Sequence, residues 1–301
     1  MAAFGAALGV GVAWLAGCAP RARPAEPEQP LPPASELADA FNARIDGLDR
    51  LWARAVTSLT YLNADGQPAR EQGDGHFMFV APALVAHTIG GPDRTYIHFG
   101  SGEIGDGRRG GWLIDAVDKP VAYVVPEGAS DAITVQGLRI DPARFLSLAG
   151  LRPIDAGLAS IRRGSSPGTA WLDVPGRDGS VLSVEVRLGS AAPVRAEARD
   201  ATGNLLLGSV LSDPARVAVR GGGRTPPVIP SKIEVTVPGD EGGVGSVRVS
   251  LSDPEINPRR PNARIFRLDV LNKTYGVEEV VDVSRPPVVD TQDQGLSEPG
   301  G

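Results

Sequence analysis

The chain has one cysteine, few aromatic residues and three histidines, and each shortage argues against a class of protein. Cys18 is the only cysteine among 301 residues, so no intrachain disulfide and no thiolate metal cluster forms. Aromatic residues make up only 5% of the chain, against 42% apolar residues, so the core is built mainly from Val, Leu, Ile and Ala. With a net charge of −6 and no basic stripe with interleaved aromatics, the chain is not expected to bind nucleic acid.

The N-terminal segment is apolar and small, and it ends at the single cysteine. Residues 1–17 are mostly Ala, Gly, Val and Leu, and the segment closes with Leu15-Ala16-Gly17-Cys18. The run is shorter than the about 20 apolar residues of a membrane-spanning helix, and it fits the apolar part of a signal peptide. The alternative is a plain apolar N-terminus with a buried free cysteine.

Leu-Ala-Gly-Cys resembles the lipobox of a bacterial lipoprotein signal peptide. The resemblance implies that residues 1–17 are removed by cleavage between Gly17 and Cys18, and that Cys18 then carries lipid such as palmitate and tethers the protein to a membrane. Ala19 follows the cysteine, whereas an Asp there favours inner-membrane retention in similar lipoproteins. The resemblance therefore implies a bacterial envelope protein, lipid-anchored at the outer membrane and facing the periplasm.

Residues 18–34 form a proline-rich linker, which predicts an extended, semi-rigid spacer. Ser35 is a good N-cap, and apolar residues then recur at steps of three and four. These residues are Leu37, Phe41, Ile45, Leu48 and Trp52. The pattern predicts an amphipathic helix that begins at Ser35, ends near Arg50 and covers one face of a sheet.

From Leu51 onward, short apolar segments alternate with turns at intervals of about ten residues, which predicts an antiparallel meander. Asp141-Pro142 before an apolar stretch, with Gly150 after it, predicts a short mid-chain helix. The glycine-rich runs at residues 100–111 and 221–223 are predicted to be loops, because neither precedes a helix as a phosphate-binding loop does. The polar tail, residues 284–301, is expected to be disordered.

This order of elements is similar to the LolA/LolB-like fold of envelope lipoproteins and lipoprotein carriers. Two stretches add to the resemblance: residues 73–79 followed by Pro82, and Leu205–Leu211 followed by the Pro-led strand at residues 229–233. The resemblance implies a mainly β (α+β) domain over residues 35–283. In it, a strongly curved antiparallel sheet forms an unclosed half-barrel, and an N-terminal helix and a short mid-chain helix pack on its concave side.

The LolA/LolB-like fold also implies an apolar hollow between sheet and helices that takes acyl chains. The large aromatic side chains are candidates to line it, with ordinary core packing as the alternative. These candidates are Trp52, Phe77, Phe79, Trp112 and Trp171.

Three histidines, His76, His87 and His98, are each eleven residues apart. Adjacent strands could bring such residues together as a zinc site. Side chains alternate between the faces of a strand, however, and a shift of one residue sends His87 to the other face. Without supporting ligand spacings, we predict no metal and no cofactor.

No nucleophile elbow, phosphate loop or metal-ligand spacing indicates an enzyme. The sequence therefore favours a membrane-anchored, non-enzymatic envelope lipoprotein whose half-barrel binds lipid or acyl chains, with a lipid or an acylated protein as partner. The alternative is a structural or protein-interaction lipoprotein with a filled, ligand-free core.

Overall fold

The computed structural model describes residues 30–62, 65–91, 94–128, 133–135, 138–176, 178–220, 225–238, 244–256, 259 and 261–285. Cys18, Gly17 and residues 286–301 lie outside the described residues, as do most of the linker and the glycine-rich run at residues 221–223.

The first half of the sheet is an antiparallel meander of six strands, each paired with the next. The strands are β1 (Arg50–Leu62), β2 (Pro68–Val80), β3 (Leu84–Gly90), β4 (Thr95–Gly105), β5 (Arg108–Asp115) and β6 (Val121–Pro126). A separate hairpin follows, made of β7 (Ile133–Val135) and β8 (Leu138–Ile140).

The second half of the sheet follows a helix, α2 (Pro142–Leu148), and it is again largely an antiparallel meander. Its strands are β9 (Ser160–Arg163), β10 (Thr169–Pro175), β11 (Val181–Arg187), β12 (Pro193–Arg199), β13 (Leu205–Arg216), β14 (Ala218–Val219), β15 (Val228–Pro238) and β16 (Val244–Ile256). The chain then forms a 3-10 helix (Ala263–Phe266), a helix α3 (Leu268–Tyr275) and a strand β17 (Glu279–Asp282).

The two meanders join because β1 pairs antiparallel with β16. Within the described residues, fifteen strands thus form one sheet in the order β17-β6-β5-β4-β3-β2-β1-β16-β15-β13-β12-β11-β10-β9, with the short β14 beside β16. β17 and β14 pair parallel, while the other pairs are antiparallel. The sheet is strongly curved and unclosed, which confirms the predicted half-barrel.

Alternation along β1 explains which face is buried, because successive side chains of a strand point to opposite faces. Leu51, Ala53, Ala55, Thr57 and Leu59 are buried, while the residues between them are more exposed. The four apolar residues among them belong to the larger of two apolar clusters, and Thr57 lies between them on the strand. The same cluster includes side chains of α2 and of the N-terminal helix. One face of the sheet therefore carries both helices, and this helix-bearing face is the concave side.

The N-terminal helix, α1, covers Ala34–Ala43 and is shorter than predicted. Pro33 occupies its N-cap position and no side chain caps it, so the predicted Ser35 cap is wrong. Gly47 turns the chain with a φ of 75°, and β1 begins at Arg50, which places Trp52 on a strand. The apolar spacing misleads here because Ile45 and Leu48 are buried in the turn between helix and strand.

The mid-chain helix, α2, begins where predicted. The Asp141 carboxylate accepts a hydrogen bond from the Arg144 backbone N–H at 3.0 Å, and Pro142 fills the first helical position. Gly150, with a φ of 65°, follows the last turn. The helix thus has a side-chain cap at its start and a left-handed glycine after its end, as the sequence indicates.

The glycine-rich run at residues 100–111 is not a loop but the β4–β5 hairpin, whose turn is residues 106–107. The glycines allow other groups to approach the strands closely. A Cβ at Gly100 would lie 2.2 Å from the Val85 carbonyl oxygen, and one at Gly102 would lie 2.1 Å from the Phe266 carbonyl oxygen. Close packing against other segments therefore accounts for Gly100 and Gly102.

A C-terminal cap, residues 261–277, covers the outer face of the first meander, and the sequence pattern did not predict it. Phe266, Leu268 and Leu271 pack with Met78 and Trp112 in a second apolar cluster. Arg267 forms ion pairs with Glu103 at 3.7 Å and with Asp269 at 2.9 Å. Both faces of the first meander are therefore covered. Among the described residues, no helix is long and apolar enough to cross a membrane.

Candidate functional site

The space between the helix-bearing face and α2 is almost completely filled. Phe145 of α2 packs against Phe77 and Phe99 of the sheet, with ring centroids 5.9 and 5.7 Å apart. The cavity beside it has a volume of about 20 Å³ and is lined mainly by Phe99, Phe145, Leu148 and valines of β15 and β16. Since a single water needs about 10–15 Å³ of such space, this cavity accommodates one water and no acyl chain.

Side-chain hydrogen bonds fasten α2 and the segment after it in place. Ser209 Oγ donates to the Leu148 carbonyl oxygen at 2.7 Å. Asn42 of α1 makes a reciprocal pair with Ile154, donating to its carbonyl oxygen and accepting from its N–H, both at 2.8 Å. The helix thus fills the half-barrel as a packed plug tied to both α1 and the sheet.

A larger cleft opens at the rim of the half-barrel, beside the ends of β11, β12, β13 and β15. Its volume is about 420 Å³, which falls within the about 300–1,000 Å³ of small-molecule sites. Its apolar floor contains the buried side chains of Pro193, Leu211, Ile229 and Pro230. Gly150, just after α2, lies against this floor, because a Cβ there would come 2.9 Å from Pro193. We call this space the rim cleft.

Arg44, the residue that follows α1, also lines the rim cleft. Its guanidinium donates to the carbonyl oxygens of Val228 and Gly150 and lies 4.9 Å from the Phe41 ring centroid. Its Nε is buried without a hydrogen-bond partner. Burial lowers the pKa of Arg44 to about 10, so the side chain remains a cation at neutral pH.

The charges that line the rim cleft do not cancel. Arg187 also lines it, and within the described chain no carboxylate lies within ion-pair distance of Arg44 or Arg187. Asp213 is the acidic side chain of the lining, and it already pairs with Lys232 at 2.7 Å. The rim cleft therefore combines an apolar floor with two cations that have no acidic partner among the described residues.

The aromatic residues predicted to line one hollow lie in three places. Phe77 and Phe79 belong to the larger cluster under the helices. Trp112 is in the second cluster beneath the C-terminal cap, and Trp52 packs against that same cluster. Trp171, on β10, has the Arg162 guanidinium 4.6 Å from its ring centroid. These five residues are not brought together, and none of them lines the rim cleft.

The three histidines are divided between the faces of the first meander. His87 is fully buried on the helix-bearing face, with Nε2 2.7 Å from Thr57 Oγ1. His98 is buried on the outer face, its ring 4.8 Å from that of Trp112, while His76 is exposed beside Trp52. In the described parts of the chain, no group of three His, Cys, Asp or Glu residues is placed to hold a metal ion.

Both buried histidines are neutral. Burial, with a smaller effect of His76, lowers the pKa of His87 to about 3, and burial, with a smaller effect of His87, lowers that of His98 to about 3. Their rings contact aromatic side chains, and His98 has no hydrogen-bond partner at either nitrogen. They serve as packing groups of the sheet.

Sequence reasoning missed the rim cleft, and Arg44 falls within the stretch that was predicted to be a longer helix. The one available signal is the proline content of the lining, with Pro193, Pro214 and Pro230 at strand positions where proline limits pairing. Arg44 contacts residues that are more than a hundred positions away in the sequence. No local sequence pattern indicates such contacts.

Solved structures share this architecture at low sequence identity. A DUF1329 family protein from Desulfovibrio piger matches with a TM-score of 0.51 and 12% identity, covering 80% of this chain and all of that chain. A putative outer membrane lipoprotein-sorting protein domain from Vibrio parahaemolyticus matches with a TM-score of 0.50 and 15% identity, covering 79% and 97%. A LolA superfamily protein from Nitrosomonas europaea matches with a TM-score of 0.47 and 16% identity, covering 79% and 99%.

No protein-family model and no curated protein sequence matches this chain. The likeness is therefore one of architecture, carried by the first two of these structures and by the strand order. On that basis the chain has the LolA/LolB-like fold, an unclosed half-barrel with helices on its concave side.

Proposed function

We propose that the protein is a non-enzymatic envelope lipoprotein that is anchored through Cys18 and holds a lipid or acyl chain in the rim cleft. The observation that carries this proposal is the cleft of about 420 Å³ with its apolar floor. Apolar clefts of this size bind ligands through buried surface, with a few polar groups that fix orientation. A neighbour of the same fold is described as an outer membrane lipoprotein-sorting domain, which agrees with an acylated partner.

The proposed arrangement along the chain has three parts. Residues 1–17 are the signal peptide, cleaved between Gly17 and Cys18, and residues 18–34 are the linker between the lipid and the domain. Residues 35–283 then act at the membrane surface, with the outer membrane and its periplasmic side as the proposed location.

Metabolic labelling with palmitate tests the anchor. The wild-type chain is expected to incorporate label and to fractionate with the envelope, whereas Cys18→Ala is expected to lose both properties. Ser35→Ala, beyond the linker, is the control and should label like the wild type. Equal labelling of the Cys18→Ala variant would refute the anchor.

Mass spectrometry of lipids that co-purify with the full chain tests the cleft. Ser190 is exposed and lines the rim cleft, so Ser190→Trp is expected to cover it and reduce the bound lipid several-fold. Ser166→Trp, in the exposed turn between β9 and β10, is the matched control and should retain the wild-type amount. Equal loss in both variants, or no bound lipid in the wild type, contradicts this part of the proposal.

A second candidate function is a structural or protein-interaction lipoprotein without a ligand. The nearly filled space beneath α2, with its cavity of about 20 Å³, favours it. The same lipid analysis separates the two candidates, because this one predicts a lipid-free wild-type protein.

A further inference from the structure

The charge of the rim cleft restricts the chemistry of its occupant. A buried guanidinium is costly unless it is paired, and an apolar occupant alone would remove water from Arg44 without replacing it. The carbonyl oxygens of Val228 and Gly150 take up two of its five donors. An anionic group beside Arg44 would supply the missing counter-charge and form charge-assisted hydrogen bonds.

Arg187 adds a second cation on the same lining. It is exposed at the end of β11, so it is free to turn toward a ligand at the mouth of the rim cleft. Asp213 does not offset these charges, because its carboxylate is 2.7 Å from Lys232 Nζ. Carboxylate and phosphate groups both suit a guanidinium, which binds either in a bidentate manner.

The volume of the rim cleft admits an alkyl chain. A space measured in this way needs about 10–15 Å³ for one water, so 420 Å³ holds about 28–42 water-sized groups. That is enough for an alkyl chain of about ten carbons with its head group. The floor of Pro193, Leu211, Ile229 and Pro230 offers this chain an apolar surface.

We infer that the rim cleft binds an amphiphile with an anionic head, in which the head pairs with Arg44 and Arg187 and the alkyl chain lies on the apolar floor. The inference rests on the proposed function and narrows it from acyl chains in general to those beside a carboxylate or phosphate. A fatty acid and a phospholipid share this chemistry, and the probes below distinguish a carboxylate from a phosphate head.

Calorimetric titration of the full chain carrying Cys18→Ser, in detergent-free buffer, tests the inference with four probes that share a ten-carbon chain. Decanoate and decyl phosphate are expected to bind at least tenfold more tightly than decanol, and decyltrimethylammonium is expected to bind more weakly than decanol. The tighter of the two anions identifies the head group as carboxylate or phosphate. Raising the salt concentration should weaken binding of the anions and leave decanol unchanged.

Variants assign the effect to the rim cleft. Arg187→Gln is expected to weaken decanoate binding three- to tenfold and to leave decanol unchanged, and Arg44→Lys should weaken it as well. Arg195→Gln removes the same charge from an exposed position on β12 outside the cleft and should bind both probes like the wild type. If the Arg44→Lys variant fails to fold, the binding measured for Arg187→Gln still tests the inference.

The outcomes separate the inference from the proposed function. Equal affinity for decanoate and decanol, or an Arg187→Gln variant that binds decanoate like the wild type, overturns the inference and leaves acyl-chain binding standing. Absence of binding by all four probes, decanol included, overturns the proposed function itself.

Discussion

Lowering the pH from 7 to 5 is expected to destabilise this protein through its two buried histidines. His87 is fully buried and His98 is 2% exposed, and burial lowers the pKa of each to about 3. In the unfolded chain a histidine has a pKa of about 6.5. Below pH 6.5 the two histidines are protonated in the unfolded chain but stay neutral in the folded protein. The free energy of unfolding is therefore highest above pH 6.5 and decreases as the pH falls toward 3.

The size of the effect follows from proton linkage. Once the pH is below 6.5, each buried histidine lowers the free energy of unfolding by about 1.4 kcal/mol per pH unit. From pH 7 to pH 5 the loss is about 2 kcal/mol for each histidine and about 4 kcal/mol for the two. That is a large part of the about 5–15 kcal/mol that stabilises a typical domain.

Urea unfolding at half-unit steps between pH 5 and pH 7 measures this loss. His87→Gln or His98→Gln should each remove about half of the pH dependence, whatever it does to the stability at pH 7. His76→Gln is the matched control, because His76 is exposed and stays solvated in the folded protein. A wild-type stability that changes by less than about 0.5 kcal/mol over this range, or a His76→Gln variant that flattens the curve, would refute the reasoning.

Three further substitutions test the packing of the half-barrel by urea unfolding at pH 7. Asp141→Ala removes the cap of α2 and should cost about 1 kcal/mol; an unchanged midpoint would contradict the cap. Phe145→Ala removes the ring that fills the space between α2 and the sheet and should cost about 3–5 kcal/mol; a cost below about 1 kcal/mol would show a loosely packed plug. Gly102→Ala places a Cβ against the Phe266 carbonyl oxygen and should cost about 1–3 kcal/mol. Gly208→Ala, where the nearest atom is 3.9 Å away, is its matched control, and equal effects of the two would refute the close approach.

The predictable parts of the fold are those with local causes. The start of α2 depends on Asp141 and Pro142, which are adjacent and act within one helical turn. The strands of both meanders follow from alternating apolar residues between turns, as in β1, and their spacing predicts the antiparallel pairing. The curvature of the sheet was implied only by the resemblance to the LolA/LolB-like fold.

The sequence predictions are wrong where contacts between residues far apart in the chain determine the structure. Ile45 and Leu48 continue the apolar spacing of α1 although the helix ends at Ala43, because burial beneath the sheet does not require helical backbone. Gly100 and Gly102 belong to a strand because Val85 and Phe266 approach it, and both contacts are made by other segments. The C-terminal cap escaped prediction because its eight-residue helix has too few apolar positions to establish a period.

The candidate site was the least predictable part. Its lining comes from Arg44, which follows the last residue of the short helix α1, and from residues in or beside strands β11, β12, β13 and β15. The sequence indicated aromatic residues instead, and these lie in three separate places. A cleft that is formed by the ends of several strands produces no periodic pattern in the sequence.

Photo-crosslinking tests the central claim, that the rim cleft holds the acyl chain, most directly. The full chain carrying Cys18→Ser is irradiated with a fatty acid that bears a diazirine near the middle of its chain, and the modified peptides are sequenced by mass spectrometry. The account predicts modification around residues 190–194, at Leu211 and around residues 228–230, with loss of signal in the Ser190→Trp variant. Modification concentrated instead on Phe145 beneath α2, or on Trp112 and Leu268 beneath the C-terminal cap, would contradict it.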